Sequence, residues 1–199
     1  MAIPAIILAA GGSQRLGRPK QLVSVGKETL LGRTIRVLKD SGADPVLVVL
    51  GSHRDEIIHS VDLTSVEPIF NLEWEQGIAS SINAGLVALR ERLADVAAVM
   101  LLVCDQPRLT TEHLQRLITA FEFRAESTIV ASAYAGIAGI PAIFPASEFA
   151  VLLELRGDEG ARRLLRAPRC SVMTVSFEGG DVDIDTPADL AKIIAASKG

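Results

Sequence analysis

The sequence predicts a single α/β domain, residues 1–199, built on a mostly parallel β-sheet that helices cover. Apolar runs typical of buried strands alternate along the chain with segments of helical periodicity. Hydrophobic residues make up 49% of the 199 residues, whereas aromatic residues make up only 4%. The core must therefore consist of Leu, Ile, Val and Ala, which is typical of strands that helices bury on both faces.

In the amino-terminal half, continuous apolar runs indicate the strands. They are predicted at residues 6–10, 45–50, 67–71 and 96–104. Three of these runs stop abruptly, at Gly11, Gly51 and Asp105. Between them, apolar residues recur at helical spacing and predict helices over residues 29–41, 54–60 and 77–93.

The carboxy-terminal half predicts shorter elements. The stretch Thr110-Thr111-Glu112 is expected to cap a helix whose inward residues are Leu114, Leu117, Ile118 and Phe121. Strands are predicted at residues 128–133, 142–144 and 170–177, with a glycine-rich connection at 136–141 between the first two. Helices are predicted at residues 147–155, 157–166 and 187–196, the second opened by Gly157-Asp158-Glu159-Gly160 and the last capped by Thr186.

Ligands of such sheets bind at the carboxyl ends of the strands. Three stretches lie there, residues 11–20, 51–53 and 105–107. The first has the composition of a phosphate site, because two glycines admit a ligand to the backbone and three cations follow. Those cations are Arg15, Arg18 and Lys20.

This loop matches neither common phosphate fingerprint. Gly12 and Gly17 have the spacing of a Walker P-loop, but Arg18 and Pro19 follow them, and the dinucleotide pattern of spaced glycines is also absent. The alternative is a solvated cationic loop. The glycines in front and the buried strand behind favour phosphate binding.

Acidic residues suggest a metal site. Asp105 ends an apolar strand, where a carboxylate can bind Mg²⁺ or simply form a turn. Asp181, Asp183 and Asp185 are spaced by two, so an extended segment would place them on one face, where they would bind a cation or form a solvated acidic loop. Together with Asp105, they favour a two-carboxylate magnesium site.

Other polar residues carry weaker signals. Ser80 and Ser81 begin a helix, where they would meet a base or sugar or act as ordinary first-turn serines. The three histidines show no metal-ligand spacing and are expected in surface or capping roles. No serine lies in a strand–turn–helix elbow, which argues against a Ser-His-Asp hydrolase.

Composition excludes several classes of protein. A net charge of −4 argues against a broad nucleic-acid surface, and no apolar run approaches the ~20 residues of a membrane span. The first apolar run is expected to be a strand rather than a signal peptide. Cys104 and Cys170 lie far apart in apolar runs, which favours buried thiols, a reducing compartment and a cytoplasmic location.

Five motifs, spread in order along nearly the whole chain, resemble those of the MobA-like nucleotidyltransferases. Within that family they are most similar to the motifs of the molybdenum cofactor cytidylyltransferases. They are Leu8-Ala9-Ala10-Gly11-Gly12-Ser13-Gln14-Arg15-Leu16-Gly17 with Lys20, Cys104-Asp105-Gln106-Pro107, Gly139-Ile140-Pro141-Ala142-Ile143-Phe144, Gly157-Asp158-Glu159-Gly160-Ala161-Arg162 and Asp183-Ile184-Asp185-Thr186-Pro187. Ile140 departs from the pattern, since the family commonly has a polar residue there.

The resemblance implies a single-domain, Rossmann-like three-layer sandwich of the nucleotidyltransferase fold. It also implies roles for individual residues, with Arg15, Lys20 and Asp105 catalytic. The nucleotide would be bound by Leu8, Ala9, Ala10, Gly11, Gly12, Ser13, Lys20, Asn71, Gly77, Ser80 and Ser81. Mg²⁺ would be bound by Asp105 with Asp183 or Asp185, and the acceptor by Gly139, Pro141, Gly157, Asp158, Gly160 and Arg162.

The implied reaction transfers CMP from CTP to a molybdopterin-type phosphate and releases pyrophosphate. In the family an Ala-Ala-Gly motif goes with CTP and an Ala-Gly-Gly motif with GTP, so Ala9-Ala10-Gly11 favours CTP. The attacking phosphate is already an anion, and catalysis needs mainly positioning and charge neutralisation. The alternatives are GTP as donor, a sugar or polyol phosphate as acceptor, or a non-catalytic accessory protein that delivers the cofactor to a molybdoenzyme apoprotein.

Overall fold

Strands and helices alternate along the chain in the computed structural model, which describes residues 2–124, 127–166 and 170–196. The strands are β1 (Ala5–Leu8), β2 (Ser24–Val25), β3 (Glu28–Thr29), β4 (Val46–Leu50), β5 (Glu67–Phe70), β6 (Ala98–Val103), β7 (Ile129–Tyr134), β8 (Ile137–Pro145) and β9 (Val172–Ser176). The α-helices are α1 (Leu30–Ser41), α2 (Arg54–Ser60), α3 (Ile78–Arg92), α4 (Thr111–Glu122), α5 (Phe149–Leu153), α6 (Arg162–Arg166) and α7 (Pro187–Ala196). Short 3-10 helices lie at Lys20–Leu22, Trp74–Gln76 and Ala146–Glu148.

Seven strands form one sheet in the order β5-β4-β1-β6-β8-β7-β9. The pairings β5–β4, β4–β1, β1–β6 and β7–β9 are parallel, and β6–β8 and β8–β7 are antiparallel. The predicted mostly parallel sheet is thus confirmed. The parallel part brings the carboxyl ends of β1, β4 and β6 together at one edge.

Helices cover both faces of this sheet, because alternate residues of each buried strand point to opposite sides. Ile7 of β1 belongs to a core that includes Leu31 of α1 and Leu114 of α4. Its neighbour Ile6 belongs to a second core, which includes Leu86 of α3. Two apolar layers thus hold the three-layer α/β sandwich together. None of the helices in the described ranges is long and apolar enough to cross a membrane.

One local prediction is wrong. The glycine-rich segment 136–141 is not a connection, since β8 already begins at Ile137 and only Ala135 and Gly136, both with positive φ, make the turn. Residues 182–185, which include Asp183 and Asp185, belong to no helix or strand. The hairpin β2–β3 is an addition that its short, polar strands did not signal.

His113 is another departure, because it is buried rather than at the surface. It is 1% exposed on α4, and its ring stacks on Phe177 with centroids 4.3 Å apart. Ser132 donates its hydroxyl hydrogen to the Pro141 carbonyl, so His113 Nε2–H donates to Ser132 Oγ at 2.8 Å. Burial, and secondly the charge of Arg116, lowers the pKa of His113 to about 4.

We expect this histidine to make the fold sensitive to acid. Its pKa is about 6.5 in the unfolded chain, so between that value and about 4 the unfolded state holds more protons, and the free energy of unfolding falls as the pH falls. Urea unfolding at about pH 7 and at about pH 4.5 measures the effect. Between these two pH values the free energy of unfolding should fall by roughly 1–3 kcal/mol more in the wild type than in His113→Gln. An equal loss in both proteins would contradict this role, and His59→Gln, at an exposed position, is the control.

Candidate active site

The glycine-rich loop leaves β1 at the carboxyl edge of the sheet and borders a cavity of about 620 Å³. The loops that follow β4 and β6 lie beside it, because β1 pairs with both strands. The cavity is lined by Leu8, Ala9, Ala10, Gly11, Gly12, Gln14, Lys20, Gln21, Trp74, Glu75, Gly77, Ile78, Ser81, Val103, Cys104, Asp105 and Asp158. Residues separated widely in sequence thus meet around one space.

Lys20 connects the cationic loop to the predicted carboxylates. Its Nζ lies 2.6 Å from Asp105 Oδ2 and 3.1 Å from Asp185 Oδ1. Arg15 Nη2 lies 2.7 Å from the other oxygen of Asp185, although its side chain is largely exposed. Charges from the first loop, the end of β6 and the segment before α7 therefore form one network.

The surroundings favour the charged form of Lys20. Burial alone would lower the pKa of Lys20, but the attraction of Asp105 and the hydrogen bonds to Asp105 and Asp185 outweigh it and raise that pKa well above the ordinary value. Burial, and then the negative charge of Asp105, raises the pKa of Asp183. Several carboxylates therefore lie close to the partly buried Lys20 ammonium group.

Backbone contacts hold these side chains in place. Ser13, which adopts a φ of 50°, accepts a hydrogen bond from the Lys20 N–H at 3.0 Å through its Oγ. The Ile184 N–H donates to the Asp105 carbonyl at 3.1 Å, which ties the acidic segment to the end of β6. The network thus rests on ordered loops.

The predicted base-and-ribose region is partly engaged in its own contacts. Asn71 Nδ2 donates to Ser80 Oγ at 2.8 Å and to Ser81 Oγ at 3.1 Å, and the Ser80 hydroxyl donates to the Gly77 carbonyl at 2.8 Å. Gly77 and Ser81 line the cavity, whereas Asn71 and Ser80 stand behind them. Asn71 therefore shapes the start of α3.

A second cavity, of about 490 Å³, adjoins the first. The two cavities share Leu8, Ile78, Val103, Asp105 and Asp158. The second is otherwise lined by Gln106, Tyr134, Ala135, Ile137, Ile140, Gly160, Ala161, Arg162, Gly180, Asp181 and Asp183. Asp105 therefore stands where two ligands would meet.

The predicted acceptor residues divide around this second cavity. Asp158, Gly160 and Arg162 line it, but Gly139, Pro141 and Gly157 do not. In their place Ile140 and Tyr134 contribute; Tyr134 OH donates to the Ile140 carbonyl at 3.2 Å, and Arg162 Nη2 donates to Tyr134 OH at 3.3 Å. The shift follows from β8, because an extended strand points Gly139 and Pro141 away from the side that Ile140 faces.

The carboxylates suit a hard divalent cation that substrate phosphates help to bind. Mg²⁺ commonly takes one or two carboxylates plus phosphate oxygens and water. In the described part of the chain, no three His, Cys, Asp or Glu side chains form a complete metal site by themselves. Asp105 and Asp183 line the second cavity, and the raised pKa of Asp183 reflects, after burial, the negative charges beside it. A cation there would relieve this repulsion.

Trp74, Gln21 and Tyr134 are site residues that the sequence patterns did not identify, and Gln106, although part of a motif, had no role assigned to it. Trp74, the chain's only tryptophan, packs against Gly51 and Gly12, where a Cβ atom would crowd its side chain. A lone tryptophan between the end of β5 and the start of α3 was the one available signal. The two cysteines are free thiols, as predicted, with Cys104 buried and Cys170 half-buried.

A cationic glycine-rich loop, acidic partners at neighbouring strand ends and two adjoining cavities are the features expected of an α/β protein that would bring a phosphorylated ligand next to a second small molecule. The chain belongs to the MobA-like NTP transferase family, whose domain model matches residues 5–172. The predicted membership of this family is thereby confirmed, and the protein is a nucleotidyltransferase of the family.

Three curated relatives have similar sequences. The purine catabolism protein PucB of Bacillus subtilis is 28% identical over 195 residues, which cover 92% of each chain. Nicotine blue oxidoreductase of Paenarthrobacter nicotinovorans is 27% identical, with 96% of each chain covered. A probable molybdenum cofactor guanylyltransferase of Bacillus cytotoxicus is 27% identical over 128 residues, which cover 64% of this chain and 61% of that one. Related chains thus carry several functional names.

Two solved structures share the fold over nearly the whole chain. The Mycobacterium sp. strain JC1 homologue of Rv0371c has a TM-score of 0.83 and 30% identity, with 98% of this chain and 96% of that chain covered. Rv0371c of Mycobacterium tuberculosis in complex with manganese has a TM-score of 0.80 and 25% identity, with 98% and 100% covered. That relative therefore binds a divalent cation.

Proposed function

We propose that this protein transfers CMP from CTP to the terminal phosphate of a molybdopterin-type cofactor, with Mg²⁺, and releases pyrophosphate. The observation that carries the proposal is the position of Lys20. It joins the glycine-rich loop to Asp105 at 2.6 Å and to Asp185 at 3.1 Å, beside the boundary of two cavities. Such an arrangement suits two phosphate-bearing substrates that react with each other.

The first cavity suits the nucleotide. Gly11 and Gly12 line it and let the backbone approach a triphosphate closely, while Lys20 neutralises phosphate charge. Trp74 and the start of α3 form the wall where we place the base and ribose. Arg15, which is largely exposed beside Asp185, would close over the phosphates from the solvent side.

The second cavity suits the acceptor. Arg162, hydrogen-bonded to Tyr134, supplies a cation for the acceptor phosphate, and Ile137 and Ile140 supply apolar surface for its ring system. In the reaction, an oxygen of this phosphate attacks the α-phosphorus of CTP in line. The bond from the α-phosphorus to the bridging oxygen breaks, and pyrophosphate leaves.

Positioning and charge neutralisation are the main contributions of the protein. The nucleophile is already an anion, so no side chain has to remove a proton from it. When bound, Mg²⁺ would neutralise negative charge on the phosphates, and we assign Asp105 with Asp183 or Asp185 as the residues that hold it. Lys20 and Arg15 would stabilise the charge on the departing pyrophosphate.

Pyrophosphate release tests this proposal and separates it from its alternatives. The purified protein is supplied with Mg²⁺, one of CTP, GTP or ATP, and either molybdopterin or a panel of sugar and polyol phosphates. We expect release only with molybdopterin and fastest with CTP. If pyrophosphate release were fastest with GTP, or with a sugar phosphate, that compound would replace CTP or molybdopterin in the proposal. If the protein bound molybdopterin but released no pyrophosphate with any nucleotide, an accessory role in delivery to an apoenzyme would be favoured.

Ala10 should contribute to the choice of CTP. It is buried and lines the first cavity, so its methyl group occupies space next to the proposed nucleotide. We expect Ala10→Gly to lower the ratio of kcat/KM for CTP to that for GTP by about tenfold, which is typical of one methyl group in a pocket. Both kcat/KM values are measured on the same variant, so a general increase in loop mobility would affect both and cancel from their ratio. An unchanged ratio would exclude Ala10 from base selection.

A further inference from the structure

Gln21 is a buried residue to which the proposed reaction assigns no role. It lies in the 3-10 helix that begins at Lys20, and it is 1% exposed. Its amide Nε2 donates to the Ala9 carbonyl at 2.6 Å and to the Gly11 carbonyl at 3.1 Å. Its own Oε1 is buried and accepts no hydrogen bond from the described residues. A buried acceptor without a donor is unfavourable, so fold stability alone gives a poor reason for this amide.

The contacts of Gln21 determine which backbone atoms of the loop are left for a ligand. The carbonyl between its two acceptors, that of Ala10, accepts from the Ser52 N–H at 3.0 Å. Three successive carbonyls of the loop therefore already accept hydrogen bonds. The N–H groups of Gly11 and Gly12, by contrast, find no acceptor within the described ranges 2–124, 127–166 and 170–196. Backbone N–H groups bind anions, whereas carbonyl oxygens repel them.

The glycine-rich loop also needs contacts from outside the loop to fix its conformation. Two adjacent glycines give a segment with large conformational freedom, which is lost when a ligand orders it. The hydrogen bonds from Gln21 attach the segment at both ends, at Ala9 and at Gly11. A loop held before the ligand arrives binds more tightly because less entropy is lost on binding.

We propose that Gln21 is a positioning residue that holds the Ala9–Gly11 backbone in the conformation that binds the phosphates of a nucleoside triphosphate. This inference rests on the proposed function only in that the first cavity takes the nucleotide. Gln21 itself need not touch the nucleotide, since it acts through the loop. Its effect should therefore appear in nucleotide affinity and in the mobility of residues 9–12.

The chain offers a matched control in Gln106. This second buried glutamine donates through Nε2 to the Ile140 carbonyl at 3.2 Å and to the Gly180 carbonyl at 3.0 Å, and its Oε1 also lacks a partner among the described residues. It lines the second cavity and not the first. The same substitution at the two positions removes the same bonds from different walls of the site.

The affinity test compares Gln21→Met with Gln106→Met. Trp74 is the only tryptophan and lines the first cavity, so its fluorescence can report the binding of MgCTP and MgGTP without turnover. We expect Gln21→Met to raise the Kd of the preferred nucleotide by about tenfold or more, and Gln106→Met to change it by less than about twofold. Equal effects of the two variants, or an unchanged Kd in Gln21→Met, would overturn the proposal.

A second measurement separates positioning from a general loss of structure. In hydrogen–deuterium exchange without nucleotide, Gln21→Met should speed exchange in a peptide that covers residues 9–16 and leave residues 46–50 of β4 unchanged. Faster exchange in both would assign Gln21 to the fold and contradict the proposal. If Gln21→Met does not fold, Gln21→Glu serves in the same comparisons, because it keeps the side-chain length without the N–H donors; loss of folding in both variants would also overturn the proposal.

The two measurements fail in different ways. If the wild type binds neither MgCTP nor MgGTP, the proposed function is contradicted. The hydrogen–deuterium exchange experiment needs no nucleotide, so it would still test whether Gln21 restricts the motion of residues 9–12.

Discussion

Replacement of Asp105 by asparagine is expected to lower kcat by a factor of about 10³ or more while the protein remains folded. Asp105 is one of two acidic residues, with Asp158, that line both cavities, and its side chain is only 15% exposed. Asparagine has nearly the same shape, and its carbonyl oxygen can still accept a hydrogen bond from Lys20. It lacks the negative charge that we assign to binding of Mg²⁺, so the chemistry should suffer far more than the packing.

The measurement combines pyrophosphate release under saturating nucleotide with thermal unfolding. The backbone bond from Ile184 N–H to the Asp105 carbonyl does not depend on the side chain, so we expect Tm to change by only a few degrees, about 1 kcal/mol or less. Asp95→Asn is the control, because Asp95 is exposed and precedes β6 at the opposite end of the strand. A folded Asp105→Asn protein with full activity would exclude Asp105 from the metal site.

Replacement of Lys20 by methionine should have the second largest effect, and it should affect both activity and stability. Methionine keeps much of the apolar stem but removes the charge that lies between Asp105 and Asp185. We expect kcat to fall by about 10²–10³, because an electrostatic contact with the reacting phosphates is lost. Asp105 would also lose the cation that pairs with it, and Asp185 would keep its exposed partner Arg15, so the free energy of unfolding should fall by roughly 1–3 kcal/mol.

Lys39→Met provides the comparison for this second variant. Lys39 forms an ion pair of 2.9 Å with Asp44, but the pair lies at the surface, at the carboxyl end of α1. Such exposed pairs contribute little, so its stability should change by less than about 1 kcal/mol and its activity should not change. Urea unfolding and steady-state kinetics measure both effects. The assignment of Lys20 fails if Lys20→Met behaves like Lys39→Met in both measurements.

Much of the fold could be predicted because the strands that carry the site are buried on both faces. Their apolar runs end sharply, at Gly11 after β1 and at Asp105 after β6, so both the elements and the site-bearing edge are readable. The hairpin β7–β8 was harder, because glycine and proline at 139 and 141 suggest a connection. They are accommodated within β8, where the Gly139 position leaves room for the ring of Tyr134.

The histidine prediction failed for a related reason. His113 lies on a helix whose apolar pattern does not include it, and its burial depends on the hydroxyl of Ser132 and the ring of Phe177, from two other parts of the chain. A polar side chain can be buried when its partners are supplied from elsewhere. No local pattern contains that information.

The sequence by itself determined the α/β architecture, the family and the composition of the glycine-rich loop, since these depend on periodicity and on motifs contiguous along the chain. Only the tertiary structure decided which residues meet at the site. Lys20 reaches Asp185 across 165 positions of sequence because the segment after β9 returns to the carboxyl end of β6. The direction of each side chain, into a cavity as for Trp74 or onto a loop carbonyl as for Gln21, follows from backbone geometry that is set by packing between distant elements.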